Sequence, residues 1–363
     1  MESAIPDHLK SVRTRTRRIP DDYAPPVPAY VARFKPAVNR VTMAYFGIQY
    51  RGETSPSAQG ALDWIATQFS SSGGASHWDR ARYDDEAGFT NVVSVGYWDD
   101  HAMFEAWLRP VRADWTAERH FPDQPGRFIE ALSPSVTGYE TLLSSPDRTE
   151  GIATLADSIS GEIQEHAYWG GMRDRLPLSQ TDPMAPSGDN RFLRDGHRIT
   201  VISHDNLCLI RSGQDWTDTE GTERKMYVQD VEPILREGME FLRDEGSAIG
   251  CYANRYMTAL DSSGQPIEKS YGMSWWKSLA ALERWAESHP THIAIFGAAM
   301  KYMGKLGPAA KLRLYHEVTV VQANEQFFEY INCHSRTGML KSVDLGYPSW
   351  DHRRKRAAEA KPT

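Results

Sequence analysis

The sequence predicts an α+β protein in which two ferredoxin-like repeats form an antiparallel β-sheet, or partly closed barrel, with helices on the outside. The main observation is the order of the elements. The pattern β-α-β-β-α-β occurs twice along the 363 residues. A shared detail links the two copies, because Trp98 and Trp107 are nine residues apart, as are Trp276 and Trp285.

The first repeat begins with the strand pattern VTMAYFGIQY at residues 41–50. A helix is predicted at 57–69, where apolar residues return at helical spacing. NVVSVGY at 91–97 is rich in β-branched residues and predicts a strand. The helix expected at 100–108 begins with an aspartate, a favoured N-cap residue. A further strand is predicted at 127–132, followed by the segment GYETL.

The second repeat follows the same order. DNLCLIRSGQDW predicts a strand and VEPILREGMEFL a helix. The helix predicted at 278–287 has Ser278 as its N-cap. Another helix starts at residue 291 and is expected to end at the Gly307–Pro308 break. The strand predicted at 312–321 completes the repeat, with alternate side chains on one apolar face.

These elements divide the chain into five predicted ranges. Residues 1–40 are basic and proline-rich, which is typical of an extended arm. The two repeats are expected at 41–150 and 200–335. A linker at 151–199 joins them, and it is long enough to predict a functional role. A tail is expected at 336–363.

The composition narrows the classes of function. A formal net charge of -7 argues against nucleic acid as a partner. The 3 cysteines are few and widely separated, which favours a reducing, cytoplasmic setting. No apolar leader or run of membrane-spanning length occurs, so no membrane association is expected. The 11 Trp and 16 Tyr suit an aromatic-lined pocket and a homodimer interface.

Two histidines lie on apolar sides of neighbouring elements in the second repeat. His292 shares one side of its helix with Phe296 and Met300, and His316 shares a strand face with Val318. One interpretation is a flat redox cofactor between them; the other is two hydrogen-bonded core histidines. The segment HPTH also allows a zinc site, although no HExxH pattern supports it. No phosphate-binding loop, dinucleotide motif or GxSxG elbow is present.

Several long blocks, taken in order, resemble the aldoxime dehydratase family. They are ISGEIQEHAYWGGMRDRLPLSQTD, DNLCLIRSGQDW, ERWAESHPTHIAIF and LRLYHEVTVVQANEQFFEYINCH. The resemblance implies a dimeric α+β barrel and a lyase that converts a small-molecule aldoxime to a nitrile. It also implies haem b as cofactor, with ferrous iron in the active state.

The resemblance further implies roles for five residues. His292 matches the axial ligand of the haem iron, and His316 matches the acid–base histidine. Arg175 and Ser212 match the residues that hydrogen-bond the oxime oxygen. Glu140 matches a carboxylate that supports the acid–base histidine.

Two other functions stay open from the sequence. One is another haem enzyme of the same barrel class, similar to a peroxidase or chlorite dismutase, which needs an oxidised iron. The other is a non-enzymatic haem binder or sensor, which needs no acid–base cluster. Aldoxime turnover under reducing conditions distinguishes them.

Overall fold

A computed structural model describes residues 1–117, 124–168 and 170–346. Trp169 of the predicted linker and residues 347–363 of the predicted tail lie outside the described residues. Within these ranges, no helix combines the length and the apolar character needed to cross a bilayer.

The first repeat contains its expected strands and helices and one strand that was not predicted. A two-residue strand in the arm precedes it. The elements are β1 (Ala32–Arg33), β2 (Thr42–Tyr50), α1 (Pro56–Phe69), β3 (His77–Asp84), β4 (Thr90–Trp98), α2 (His101–Trp115) and β5 (Gly126–Leu132). The Asp100 side chain accepts a hydrogen bond from Met103 N, which confirms it as the cap of α2.

The helix α2 extends beyond its predicted end at residue 108 and continues through Pro110. Proline in a helix interior removes one hydrogen bond and crowds the preceding turn. The helix continues because Val111 and Trp115 extend its apolar stripe, and both are buried. Burial of this stripe outweighs the local cost.

The linker and its surroundings contain short elements. They are β6 (Tyr139–Leu143), β7 (Ser158–Ile159), α3 (Gly171–Arg175), β8 (Arg191–Asp195) and β9 (Arg198–Ile202). The arm strand β1 pairs with β7, so the N-terminal arm is attached to the linker.

The second repeat repeats the pattern, with two middle strands that were not individually predicted, and adds two helices and a final strand. Its elements are β10 (Leu207–Asp215), α4 (Gly221–Met226), α5 (Glu232–Asp244), β11 (Cys251–Leu260), β12 (Pro266–Trp276), α6 (Leu279–Ser288), α7 (Pro290–Leu306), β13 (Arg313–Val321) and β14 (Gln326–Ile331). A single π-helical stretch, Tyr227–Val231, joins α4 to α5. Ser278 caps α6 as predicted, accepting from Ala281 N.

The sheet confirms the fold class. The first repeat has the strand order β5-β2-β4-β3 and the second has β13-β10-β12-β11, which is the ferredoxin-like order in both. The repeats join where β3 pairs with β11. With β6 at one edge and β14, β9 and β8 at the other, the sheet has 12 strands. In the described residues its edge strands β6 and β8 do not pair with each other, so the barrel is open.

Two strands lie beside the repeat that is distant from them in sequence. β6 follows the first repeat along the chain but pairs with β13 of the second. β14 follows the second repeat but pairs with β5 of the first. The predicted boundaries of the two repeats stay a prediction. Each predicted range ends with a strand that pairs with the other repeat, so the two ranges share one sheet.

The core has an inner and an outer layer. The inner face of the sheet buries residues from both repeats, including Tyr45, Phe128 and Trp275. On the outer face, α1 and α2 cover the first repeat with a separate aromatic cluster. The helices α5 and α6 cover the second repeat, and the site described next lies on this outer side.

Candidate active site

The outer face of the second repeat places a serine beside a histidine. Ser212 on β10 is paired directly with His316 on β13. Paired residues of antiparallel strands have their side chains on the same face of the sheet. This face is the outer one, because Val318, two residues from His316, packs with the helices there. The sequence prediction that His316 shares a face with Val318 is confirmed.

The edge strand β6 brings a carboxylate to the same face. Glu140 is paired with Val318, so its side chain lies on the outer side next to His316. Its Oε1 is 3.0 Å from His316 Nε2. Glu140 is 5% exposed, and a charge buried to this degree needs partners.

Arg175 at the end of α3 is the partner of Glu140. Its Nε donates to Glu140 Oε2 over 2.6 Å and its Nη2 donates to Oε1 over 3.2 Å, which is a bidentate contact. Burial alone acts to raise the pKa of Glu140, but Arg175 and His316 outweigh burial and hold the pKa below its usual value. Glu140 is therefore an ionised acceptor at neutral pH.

His316 Nε2 has two neighbours of opposite kind. Arg175 Nη2 lies 2.8 Å away and can only donate, whereas Glu140 Oε1 lies 3.0 Å away and can only accept. An unprotonated Nε2 accepts from Arg175, and a protonated Nε2 donates to Glu140. The site thus offers a partner to both states of the imidazole, as an acid–base residue requires.

Ser212 completes the polar group. Among the described residues no protein partner lies within hydrogen-bonding distance of its hydroxyl, although its carbonyl accepts from Gln214 Nε2. The Ser212 hydroxyl lies beside His316 and forms no hydrogen bond with the described residues, so it is free to bind a ligand.

His292 lies on the first turn of α7 in an orientation set by Tyr168. The Tyr168 hydroxyl donates to Ala286 O over 2.7 Å, so it accepts from His292 Nδ1, which is 2.9 Å away. The proton therefore lies on Nδ1, and the lone pair of Nε2 is available to a metal. Burial lowers the pKa of His292 to about 4, while the Ala286 carbonyl acts in the opposite direction. A neutral imidazole is the form that ligates iron.

The surroundings of His292 fit a large apolar cofactor. Ile293, Phe296 and Met300 on α7 are 50%, 37% and 50% exposed, and Leu314 on β13 is 38% exposed. Leu314 shares the strand face of His316, so apolar surface continues from the helix toward the sheet. The described residues contain no group of three or more His, Cys, Asp or Glu side chains placed to hold a metal ion. A single available histidine beside apolar surface fits haem better than a metal ion alone.

One stretch of the linker contacts both histidines. Tyr168 contacts His292, and Arg175 contacts His316. Tyr168 was not predicted as a functional residue. The signal that could have identified it is its place seven residues before Arg175, in a segment that is too long for a passive connection.

Three further polar residues near the site also have protein partners. Arg173 forms an ion pair with Glu283 on α6, with a shortest distance of 2.6 Å. The His166 ring lies 3.0 Å from Val27 O; burial, followed by the nearby charges of Arg175 and His316, lowers its pKa, while the Val27 carbonyl acts in the opposite direction. His289, the first histidine of HPTH, caps α7 and bonds Thr291, so it does not join His292 as a metal ligand.

The fold and the site define a class: an α+β protein with an acid–base cluster and a histidine prepared to ligate a cofactor metal. The chain belongs to the haem-containing dehydratase family, whose profile matches residues 44–339.

Individual relatives agree with this assignment. The chain is 46% identical to an aliphatic aldoxime dehydratase of a Pseudomonas species, over 95% of this chain and 99% of the relative. It is 31% identical to a phenylacetaldoxime dehydratase of Bacillus sp. (strain OxB-1), over 91% and 95% of the two chains. A crystal structure of an aldoxime dehydratase in complex with butyraldoxime superposes with a TM-score of 0.91 at 44% identity, covering 95% of this chain and 97% of the other.

Proposed function

We propose that this protein is an aldoxime dehydratase that converts R–CH=N–OH to R–C≡N and water, using haem b with ferrous iron. The observation that carries the proposal is the cluster of His316, Arg175 and Glu140 beside the open Ser212 hydroxyl. The relatives named above support the substrate class.

His292 is the residue that would hold the haem iron, through Nε2. Tyr168 holds the ring in the required tautomer, and the exposed apolar residues of α7 offer a surface for the porphyrin. When bound, haem would supply a ferrous iron whose electron density weakens the N–O bond of the oxime. The remaining chemistry belongs to the protein.

In the first half of the reaction the protein helps hydroxide to leave as water. The Ser212 hydroxyl and Arg175 Nη2 bind the oxime oxygen and stabilise the charge that develops on it. His316 starts with a proton on both ring nitrogens. Its Nε2–H donates a hydrogen bond to Glu140. Its Nδ1–H gives its proton to the oxime oxygen. The N–O bond breaks and water leaves.

In the second half His316 acts as the base. Having lost a proton, its ring nitrogen accepts the proton of the aldoxime carbon, and the C–H electron pair forms the third bond of the nitrile. The proton gained equals the proton given, so His316 returns to its starting state. Throughout the cycle Glu140 Oε1 holds the Nε2 end of the ring, so the other ring nitrogen is the one that exchanges the proton.

A reduced assay tests the proposal. Haem-loaded protein under dithionite should convert butyraldoxime or phenylacetaldoxime to the nitrile, and His292→Ala should lose the Soret band or change it. Turnover with peroxide or chlorite but not with aldoxime would favour another haem enzyme of the same barrel class. Haem binding without any turnover would indicate a binder or sensor.

Two further features are proposed. We expect a homodimer, as the family resemblance implies, although the aromatic-rich surface expected from the sequence is not found: among the described residues Phe296 is the one aromatic side chain in the exposed large apolar set. Light scattering that gives the mass of one chain would contradict the homodimer. A cytoplasmic location is proposed because all three cysteines are free. Their oxidation state in protein isolated with thiol-trapping reagents tests it.

A further inference from the structure

The N-terminal arm passes directly over the segment that carries Arg175. We infer that the arm is part of the active site, and that Glu165 and Asp174 are positioning residues through which it holds the Arg175 guanidinium. The inference rests on the proposed function, since it concerns how Arg175 is aimed at the leaving oxygen.

Glu165 connects the arm to Arg175, because its side chain contacts the arm and its backbone carbonyl contacts Arg175. Its side chain accepts from Ala4 N over 2.7 Å and from Ser3 Oγ over 3.3 Å. Its backbone carbonyl accepts from Arg175 Nη1 over 2.7 Å. Because the other two guanidinium nitrogens contact Glu140, this carbonyl fixes the remaining corner of the fork.

Asp174 makes the second connection. It immediately precedes Arg175, and its Oδ2 accepts from Arg18 N over 2.9 Å and from Ile19 N over 2.7 Å. Asp174 is 1% exposed, so these two backbone donors replace the water it would otherwise bind. The short helix α3 is thereby fastened to the arm at the residue next to Arg175.

Two adjacent glycines make room for this arrangement. A Cβ on Gly170 would lie 2.4 Å from the Cβ of Arg18, so the arm occupies the place of a side chain there. A Cβ on Gly171 would lie 2.9 Å from Arg175 Nη1. The sequence GGMRDR thus accommodates the arm with its first glycine and the guanidinium with its second.

The arm itself is firmly attached. Arg33 donates to Ala4 O and to Ser3 O, each over 2.6 Å, and Ile5 and Ile19 are 4% and 2% exposed. A cavity of about 50 Å³ lies between the arm and the polar cluster, lined by Ala4 on one side and Glu140 on the other. The arm therefore encloses the Glu140–Arg175 pair as well as supporting it.

The functional consequence follows from geometry. Arg175 must place Nη2 where negative charge develops, and a displacement of about 1 Å at such a position can cost ~10²-fold in rate. Without the arm contacts, the guanidinium is held by Glu140, by His316 Nε2 and by one carbonyl whose position is no longer fixed. We expect the loss to appear in kcat rather than in KM, because the contact matters most in the transition state.

The test uses point variants of the full chain. Glu165→Ala removes the carboxylate that accepts from Ala4 N and Ser3 Oγ but keeps the backbone carbonyl that accepts from Arg175. Asp174→Ala removes the acceptor of Arg18 N and Ile19 N. Each should lower kcat about 10-fold or more with KM and haem content nearly unchanged. Asp174→Asn keeps an acceptor and should retain most of the activity. Lys10→Ala is the control on the arm, since the one ion pair of Lys10 within the described residues is with Asp7 on the exposed side of the arm.

A double-mutant cycle decides whether the effect passes through Arg175. Arg175→Lys keeps a charge beside Glu140 but loses the fork, and it should lower kcat by itself. In that background Glu165→Ala or Asp174→Ala should have little further effect. If Asp174→Ala fails to fold or to load haem, Glu165→Ala carries the test.

The outcomes distinguish the positioning role of Glu165 and Asp174 from the catalytic role of Arg175. A further fall by the same factor in the Arg175→Lys background would overturn the positioning role alone. Unchanged kcat in both Glu165→Ala and Asp174→Ala would also overturn it. Full activity of Arg175→Lys would remove Arg175 from the proposed mechanism, and the positioning role would fall with it.

Discussion

The two repeats have the same strand order, but they use the outer face of the sheet differently. In the first repeat, Phe46 on β2 is paired with Ile129 on β5, and its ring contacts Phe69, Trp107 and Trp115 at 5.3 to 5.8 Å. In the second repeat, the corresponding pair of strands places Ser212 opposite His316.

The difference shows how one architecture serves both stability and chemistry. The first repeat closes its outer face with aromatic side chains, and its nine-residue Trp98–Trp107 spacing brings the two rings to 4.9 Å. The second keeps the same pair, Trp276 and Trp285 at 5.7 Å, but leaves polar groups and exposed apolar helix surface beside it. Function is expected where packing between helix and sheet is replaced by polar side chains that other segments support.

The largest effect should come from the aromatic cluster of the first repeat. Trp107→Ala should lower the free energy of unfolding by about 3–5 kcal/mol, because a 6% exposed ring leaves a cavity. Activity per folded, haem-loaded molecule should not change. Urea unfolding and haem-normalised turnover measure the two quantities.

Trp285→Ala, whose ring lies 4.5 Å from that of His292, should alter the haem spectrum as well. Equal losses of activity in both variants would break the comparison.

The next largest effect should be that of His316→Ala. Nitrile formation should fall by about 10²–10⁴, the usual scale of acid–base catalysis. Haem content and binding of aldoxime to the reduced protein should persist. Single-turnover measurements on the reduced variant test this. His101→Ala, at the start of α2 in the first repeat, is the control and should be fully active. Near-normal turnover by His316→Ala would reject the mechanism.

Ser212→Ala should lower kcat by about 10², as expected when one donor to a developing charge is removed. Because this hydroxyl has no protein partner among the described residues, stability should stay the same. The matched control is Ser94→Ala, a serine paired with Phe46 on the outer face of the first repeat. Ser94 accepts from Arg80 Nε over 3.3 Å, so its loss should cost up to about 1 kcal/mol of stability and no activity.

Tyr168→Phe should have a smaller effect, mainly on the cofactor. Removing the acceptor of the His292 Nδ1 proton makes the imidazole a weaker donor, so the reduction potential of the haem should rise by tens of millivolts, where ~60 mV is a tenfold change. Potentiometric titration measures this, and haem content is the control. Phenylalanine keeps the ring contact with Phe296. An unchanged potential would contradict the assigned tautomer.

A separate effect, on stability alone, concerns a buried carboxyl on the inner face. Burial raises the pKa of Glu317 from 4.5 to about 7, since Arg211 is 3.9 Å away and offsets burial only in part. The folded protein then binds more protons than the unfolded chain between these values. Stability should fall as pH rises from 4.5 to about 7. Urea midpoints measured across this range should show the slope, and Glu317→Gln should reduce it. A slope of opposite sign would be evidence against a raised pKa.

The sequence predicted those parts of the fold that depend on neighbouring residues. Capping by Asp100 and Ser278 is local, and so is the alternation that places His316 with Val318. The strand β3 was missed because HWDRARYD has no clear alternation; it forms because β4 and β11 pair with it on either side.

The site could be predicted only in part, for the same reason. The resemblance to a family named Glu140, Arg175 and His316, but their contact depends on β6 pairing with a strand far along the chain. Nothing near Glu165 or Asp174 in the sequence indicates that the arm lies against them. These contacts are non-local, so no periodicity or motif records them. The assigned roles of the five candidate residues stay predictions until the variants are measured.

The pairing of β6 with β13 and of β14 with β5 has a consequence for how the protein is made. During synthesis the first repeat leaves the ribosome before either of these partners exists, so two strand edges stay open until the second half of the chain emerges. Contacts between residues so far apart slow folding, and open edges invite association with other chains. We expect refolding to be slow and all-or-none for the sheet, with chaperones needed most when half of the chain has been translated.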